Sequence, residues 1–113
     1  MSDEEFEAIV RQTIQSLPDE FLSQLDNVEV VIENEAPPKL PLLGLYRGVP
    51  KTKRVSYSAL PDKITIYKQP LLQMSHDEQE AKENIKDTVL HEIGHHFGLS
   101  DEELDQIKKQ KTL

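Results

Sequence analysis

The chain contains no cysteine, so it has neither disulfides nor thiolate metal ligands. No apolar run approaches the roughly 20 residues of a membrane span. The N-terminal segment, residues 2–7, is acidic and unlike a signal or transit peptide. We expect a cytoplasmic protein that does not engage a membrane.

Length and charge restrict the number of domains and the class of partner. A chain of 113 residues is long enough for one modest core, which predicts a single domain over residues 1–113. The net charge of −8 argues against a nucleic-acid partner. Residues 36–74 are nevertheless basic, with Asp62 as their one acid. We favour a basic middle that docks against the acidic ends; the alternative is a basic rim on a cleft that prefers acidic peptide segments.

Two helices are predicted at the N-terminus. Ser2 and Glu5 form a capping box, and apolar residues then recur at helical spacing, which predicts a helix over about residues 3–16. Pro18 suits a first helical turn and predicts a second, short helix that runs to Leu25.

Strands are predicted in the middle of the chain. Residues 28–33 are rich in β-branched side chains, and residues 63–68 alternate so that Ile64 and Ile66 share one face. Pro70 is expected to end the second strand or to place it at a sheet edge. Two shorter strands are predicted in the proline-rich stretch between them, over residues 42–47 and 55–58.

A long helix is predicted after these strands. Ser75 and Glu78 form a second capping box, and the helix is expected to end at Phe97. Ser100 and Glu103 predict a short C-terminal helix to about Lys109. The core stripe of the long helix consists of apolar residues spaced by four: Ile85, Val89, Ile93 and Phe97.

The long helix carries the motif His91-Glu92-x-x-His95. Residues four apart lie on one helical face, so His91 and His95 can direct two imidazole nitrogens at one ion. Glu92 projects close enough to contact a water at that ion without being a ligand itself. Two neutral imidazoles with a general base beside them form the arrangement of catalytic zinc sites. We predict one Zn²⁺ per chain.

Gly98 and Asp101 extend this motif. Gly98 lies where the helix should stop, and glycine adopts the left-handed conformation of a helix end without steric cost. The chain can then reverse and bring Asp101 to the ion as a third ligand. The alternative role for Asp101 is an acid that favours the start of the last helix. Glu102 and Asp105 are the other candidate ligands.

The pattern H-E-x-x-H-x-x-G-x-x-H marks the metzincins, and here Asp101 stands in the last position. This variant resembles snapalysin-like peptidases and, more closely, a family of small, single-domain bacterial minimal zincins. Residues 43–50 and 61–71 also resemble that family, so the resemblance covers residues 28–105. No methionine follows the motif, so the Met-turn of true metzincins cannot form.

This resemblance implies a zinc-dependent peptidase, most simply a monomeric endopeptidase that acts on peptide or protein substrates. We expect a compact α+β domain, in which a small mixed sheet packs on the N-terminal helices and on the zinc-bearing helix. Glu92 would be the catalytic base. By the same resemblance, the strand with Ile64, Ile66 and Tyr67 would form the cleft edge along which an extended peptide pairs.

Two further roles concern the group that stabilises the oxyanion and the histidine next to His95. A group that stabilises the oxyanion is needed besides the metal, and the candidates are Tyr46, Tyr57, Arg47 and His76. Gly44 and Gly48 flank Tyr46, which favours Tyr46 near the cleft. His96 projects about 100° from His95, toward the core stripe. We therefore expect a packed histidine, or one that supports a metal ligand from behind, rather than a ligand.

Two other functions remain as hypotheses. In the first, the zinc is structural and the protein is an interaction module, as its small size would allow. In the second, the enzyme is latent because its C-terminal helix or basic loop fills the cleft.

Overall fold

The computed structural model describes residues 1–25, 27–48, 61–99, 102, 103 and 106. Within them, helices flank a sheet of three strands, which confirms the predicted α+β class. None of the helices in this part of the chain is long and apolar enough to cross a membrane. In chain order the elements are α1 (Asp3–Gln15), α2 (Asp19–Leu22), β1 (Val28–Glu33), β2 (Gly44–Arg47), β3 (Asp62–Tyr67), α3 (Lys68–Met74) and α4 (Glu78–His96).

The first helix begins as predicted. The Ser2 hydroxyl accepts a hydrogen bond from the Glu5 backbone N–H at 3.1 Å, and the Glu5 carboxylate accepts one from the Ser2 N–H at 3.4 Å. This capping box satisfies two donors that no helical turn can satisfy. The second helix begins after Pro18 as expected, but it ends at Leu22 and is therefore shorter than predicted.

The sheet has the order β1-β3-β2, with β3 parallel to β1 and antiparallel to β2. The prediction that β3 forms a cleft edge is wrong, because strands lie on both sides of it and occupy its backbone donors and acceptors. Of the two shorter predicted strands, the first is confirmed over Gly44–Arg47. The second, over residues 55–58, lies outside the described residues.

β3 continues without a loop into α3, which the sequence did not predict. Tyr67 is the last residue of the strand and Lys68 the first of the helix. Pro70 ends the strand pairing as expected, yet it lies in the first turn of α3, where its missing N–H costs no helical hydrogen bond. Lys68 is buried and pairs with Asp3, which ties α3 to the start of α1.

The N-cap of α4 lies two residues after the predicted cap, Ser75. Its N-cap is Asp77, whose Oδ1 accepts a hydrogen bond from the Glu80 N–H at 2.8 Å. The prediction of a Ser75 cap is wrong, because the Ser75 hydroxyl donates to the Leu71 carbonyl at 2.7 Å and accepts from Asn84 at 3.0 Å. Of the predicted C-terminal helix, the described residues Glu102, Glu103 and Gln106 are helical.

One hydrophobic core joins the helices to the helix-facing side of the sheet. The predicted stripe of α4 is confirmed: Ile85 and Val89 are 0% exposed, Ile93 3% and Phe97 8%. Burial of each such side chain contributes about 1.5–3 kcal/mol, so the stripe fixes which face of α4 meets the sheet. The other members of this core come from α1, its C-terminal extension, β3 and α3: Phe6, Ile9, Val10, Leu17, Ile64, Ile66 and Leu71.

Candidate metal centre

The core stripe of α4 leaves His91 and His95 on a half-exposed side of the helix. Their rings lie one turn apart, with centroids separated by 4.5 Å and planes at 69°. The side chain of His95 is 39% exposed, whereas that of Glu92 is 9% exposed. Glu92 is therefore more buried than His95 and lies at the boundary between the core and the surface.

Ligand atoms of His91, Glu92 and His95 all lie within 4.8 Å of one another. Two nitrogens bound to one Zn²⁺ at 2.0–2.1 Å are at most about 4.2 Å apart, so small rotations of the two imidazoles bring them into range. The Glu92 carboxylate lies close enough to contact a water bound to such an ion. Nδ1 of His95 lies 3.3 Å from Oε1 of Glu92, which holds the carboxylate beside the imidazole.

The chain turns sharply at Gly98, which has a φ of 73° as predicted. The Gly98 N–H donates to the His95 carbonyl at 3.0 Å, and the Leu99 N–H donates to the Gly94 carbonyl at 2.9 Å. These two bonds form a Schellman motif, which ends the helix. Asp101 and Asp105 lie outside the described residues, so the third ligand stays a prediction from the sequence. Glu102 is exposed.

A groove of about 350 Å³ runs along this face of α4. Residues 41–44 line one side, and α4 lines the other with Asp87, Thr88, His91 and Glu92. Gly44 is the point of closest approach: a Cβ there would lie 3.0 Å from the Glu92 Cγ and 3.0 Å from the Thr88 Cγ2. Because any larger residue would press on Glu92, the glycine allows β2 to pass directly beside the candidate catalytic carboxylate.

Of the predicted cleft residues, three belong elsewhere. Ile64 and Ile66 are 0% exposed and form part of the core. Tyr67 lies on the opposite face of the sheet, where it lines a cavity of about 440 Å³ that also includes Arg47. These placements correct the prediction, and their cause is the central position of β3. The strand beside the candidate centre is β2.

The oxyanion candidates are also separated by the structure. Tyr46 lies near the site, with its ring centroid 6.3 Å from that of His95, but its hydroxyl donates to Asp62 at 2.6 Å. Arg47 is on the far side of the sheet. His76 precedes α4, so roughly 20 Å of helix separates it from His91. Tyr57 lies outside the described residues.

His96 is packed in the core as predicted. It is 0% exposed, and its Nδ1 lies 2.6 Å from Oδ2 of Asp62, which is itself 2% exposed. Sequence analysis did not connect Asp62 with this helix. The feature of the sequence that could have drawn attention to Asp62 is its charge. Asp62 is the one acid among residues 36–74, and an alternating strand follows it directly.

The motif, the turn at Gly98 and the groove lie together on one helix of a small α+β fold. The family model that matches residues 25–111 is described as zincin-like metallopeptidase. The chain belongs to this family, which implies a zinc cofactor.

Comparison with solved structures gives a fold relative. It is described as a conserved hypothetical protein from "Thermo thermophilus" and is 24% identical to this chain, with a TM-score of 0.61. The match covers 86% of this chain and 94% of the other. At this identity the likeness extends to the fold alone. No curated protein matches the chain.

Proposed function

We propose that the protein is a zinc-dependent endopeptidase in which Glu92 is the general base. The observation that carries this proposal is the position of Glu92, whose carboxylate lies close to two half-exposed imidazoles and at the wall of an open groove. Membership in the zincin-like metallopeptidase family supports it.

The residues that would hold the ion are His91 and His95, with Asp101 as the third ligand predicted from the sequence. When bound, zinc would polarise the scissile carbonyl and lower the pKa of an attacking water. The imidazoles supply neutral nitrogen donors, and their partial exposure leaves room for a substrate on the open side.

Glu92 would move the proton. Its carboxylate accepts a proton from the attacking water as the new carbon–oxygen bond forms. It then delivers that proton to the nitrogen of the leaving amine as the carbon–nitrogen bond breaks. Its contact with His95 at 3.3 Å and its packing against Gly44 place the carboxylate at the wall of the groove, where both transfers would occur.

The substrate would be an extended peptide segment in the groove between residues 41–44 and α4. This places β2, rather than β3, beside the scissile bond. Leu42 and Leu43 make part of the wall apolar, whereas Asp87 adds a negative charge from the helix. We expect a monomer to suffice, because the proposed centre is built from one chain.

The test compares wild type, Glu92→Gln and Glu83→Gln on a mixed peptide library, with zinc measured by elemental analysis. Glu83 is an exposed acid on the same helix and serves as the matched control. We expect Glu92→Gln to keep zinc and to lower kcat/KM by about 10²–10⁴-fold. Equal cleavage by wild type and Glu92→Gln would remove Glu92 from the mechanism.

Other outcomes identify the alternatives. A wild-type protein that binds zinc and cleaves no peptide is the metal-binding interaction module. Cleavage that increases when residues 107–113 are removed indicates a latent enzyme.

The role of Asp101 needs its own comparison. If Asp101 is a ligand, Asp101→Asn should weaken zinc binding strongly and lower stability mainly in the zinc-bound protein. If Asp101 only favours a helix start, the loss is about 0.3–1 kcal/mol and is the same with and without zinc. Thermal unfolding in both states, together with the zinc dissociation constant, separates the two roles.

A further inference from the structure

Three elements meet at one buried carboxylate oxygen. Oδ2 of Asp62, at the start of β3, accepts a hydrogen bond from the Tyr46 hydroxyl of β2 at 2.6 Å. Nδ1 of His96, in the last turn of α4, lies 2.6 Å from the same oxygen. Asp62 is 2% exposed and His96 0% exposed, so water does not loosen this cluster. None of its members takes part in the proposed proton transfer.

Gly48, the residue that follows β2, lies directly against Asp62. Gly48 has a φ of 152°, and a Cβ at that position would lie 2.3 Å from Oδ1 of Asp62. A side chain there would displace the carboxylate. The Gly48 backbone therefore packs against Oδ1 of Asp62, while Tyr46 and His96 contact Oδ2.

The Tyr46 ring extends from this anchor to the candidate metal centre. Its centroid lies 6.3 Å from that of His95, with the ring planes at 62°, and 6.3 Å from that of His96, at 68°. Both are edge-on contacts of the kind that aromatic rings prefer. The hydroxyl fixes one end of the tyrosine at Asp62, so the position of the ring beside His95 is fixed as well.

We propose that Tyr46, anchored by Asp62, is a positioning residue that holds the His95 imidazole in its ligand orientation. A half-exposed histidine otherwise samples several rotamers, and ordering it costs free energy when a ligand binds. Groups that orient metal ligands typically change metal affinity by 10–100-fold. The effect on zinc rests on the proposed function, whereas the effect on the His95 ring also applies to the metal-free protein.

The test compares two variants, each of which loses one tyrosine hydroxyl. Tyr46→Phe keeps the ring and loses the anchor, and Tyr67→Phe is the matched control, a buried strand tyrosine on the opposite face of the sheet. Zinc dissociation constants are measured by chelator competition, and the visible spectrum of the cobalt-substituted protein reports coordination geometry. We expect Tyr46→Phe to weaken zinc binding about tenfold and to change the cobalt spectrum. Tyr67→Phe should change zinc affinity less than about twofold.

A metal-free readout separates this inference from the proposed function. Side-chain NMR signals of His95 should shift in metal-free Tyr46→Phe and stay at their wild-type positions in Tyr67→Phe. If wild type binds no zinc, the proposed function fails while the ring signals still test Tyr46. Wild-type His95 signals in metal-free Tyr46→Phe would overturn the positioning role, as would unchanged zinc affinity with an unchanged cobalt spectrum in a zinc-binding protein.

A double-mutant cycle tests the route through Asp62. If Tyr46 acts through that carboxylate, Tyr46→Phe should weaken zinc binding much less in an Asp62→Asn background than in wild type. Losses that multiply would show that the two residues act independently and would overturn the anchor. Should Asp62→Asn not fold, the single-variant comparison decides alone.

Discussion

His95 and His96 are neighbours in the chain, yet α4 directs them into different environments. The side chain of His95 is 39% exposed and lies beside the Glu92 carboxylate at 3.3 Å. That of His96 is 0% exposed and lies 2.6 Å from a buried aspartate. One residue turns a helix by about 100°, which is enough to move an imidazole from the groove into the core.

Because of this difference in exposure, His95 is available to bind a ligand, whereas His96 contributes to stability, although both lie in the same helical turn. His95 can exchange water for a ligand because solvent reaches it. His96 cannot bind a ligand in this way, because its buried contact with Asp62 would first have to be broken. Breaking that contact would leave a buried polar group unpaired. Substitutions at the two positions should therefore have opposite profiles.

The largest effect is expected for His95→Ala. Without one of the two imidazoles, metal stoichiometry should fall close to zero, because the remaining donors cannot complete the coordination shell. His91→Ala should behave in the same way. Elemental analysis after dialysis measures the loss, and chemical denaturation of the metal-free protein should show a change below about 1 kcal/mol. Full metal in both variants would place the site elsewhere.

The second-largest effect is expected for the buried histidine, His96, and concerns stability rather than metal binding. We expect His96→Ala to lower the free energy of unfolding of the metal-free protein by about 2–4 kcal/mol, because it leaves a cavity and deprives Asp62 of a buried partner. Denaturant titration beside His95→Ala provides the measurement. Equal stability of the two variants would mean that the buried pair contributes nothing.

A smaller effect is expected at Gly98, which ends the helical turn that both histidines share. Gly98→Val should cost about 1 kcal/mol or more, because a β-branched residue resists the left-handed φ of 73°. Zinc affinity should also fall if the turn places Asp101. Gly98→Asn is the control, since asparagine tolerates this conformation better. A Gly98→Val protein with wild-type stability and metal affinity would show that the turn is dispensable.

The smallest effect is expected at Glu5, which lies in α1, far along the chain from both histidines, and serves as a reference for substitutions that should not affect metal binding. The hydrogen bond from the Ser2 backbone N–H, and then the Ser2 side chain, lower the pKa of Glu5 from 4.5. A lowered folded pKa gives stability that is present above the unfolded pKa and is lost as pH falls through the folded pKa. Glu5→Gln should remove this small pH dependence and leave metal binding unchanged. Unfolding midpoints on either side of pH 4.5 test it, and altered metal binding would contradict it.

Local patterns predicted much of this molecule. The capping box of Ser2 and Glu5, the stripe of α4 and the turn at Gly98 each depend on residues within a few positions of one another. For the same reason, the sequence placed His91 and His95 on one face of a helix, with Glu92 at the border between that face and the core stripe.

Features that depend on distant contacts were harder to predict. Ser75 and Glu78 have the spacing of a capping box, but Leu71 and Asn84 engage the serine hydroxyl and the helix begins after Asp77. The alternation of β3 does not reveal how many strands flank it. The partner of His96 lies in another element, and no local pattern links the two.

The parallel pairing of β1 and β3 also bears on the order in which the chain folds. Val28 pairs with Asp62 and Glu33 with Tyr67, so β3 can join β1 only after a long loop has closed. α4 needs only contacts between near neighbours, and such contacts form sooner. We therefore expect His91 and His95 to come together during helix formation, whereas His96 reaches Asp62 only when β3 docks. Pulse-labelled hydrogen exchange during refolding should protect the amides of α4 before those of β3.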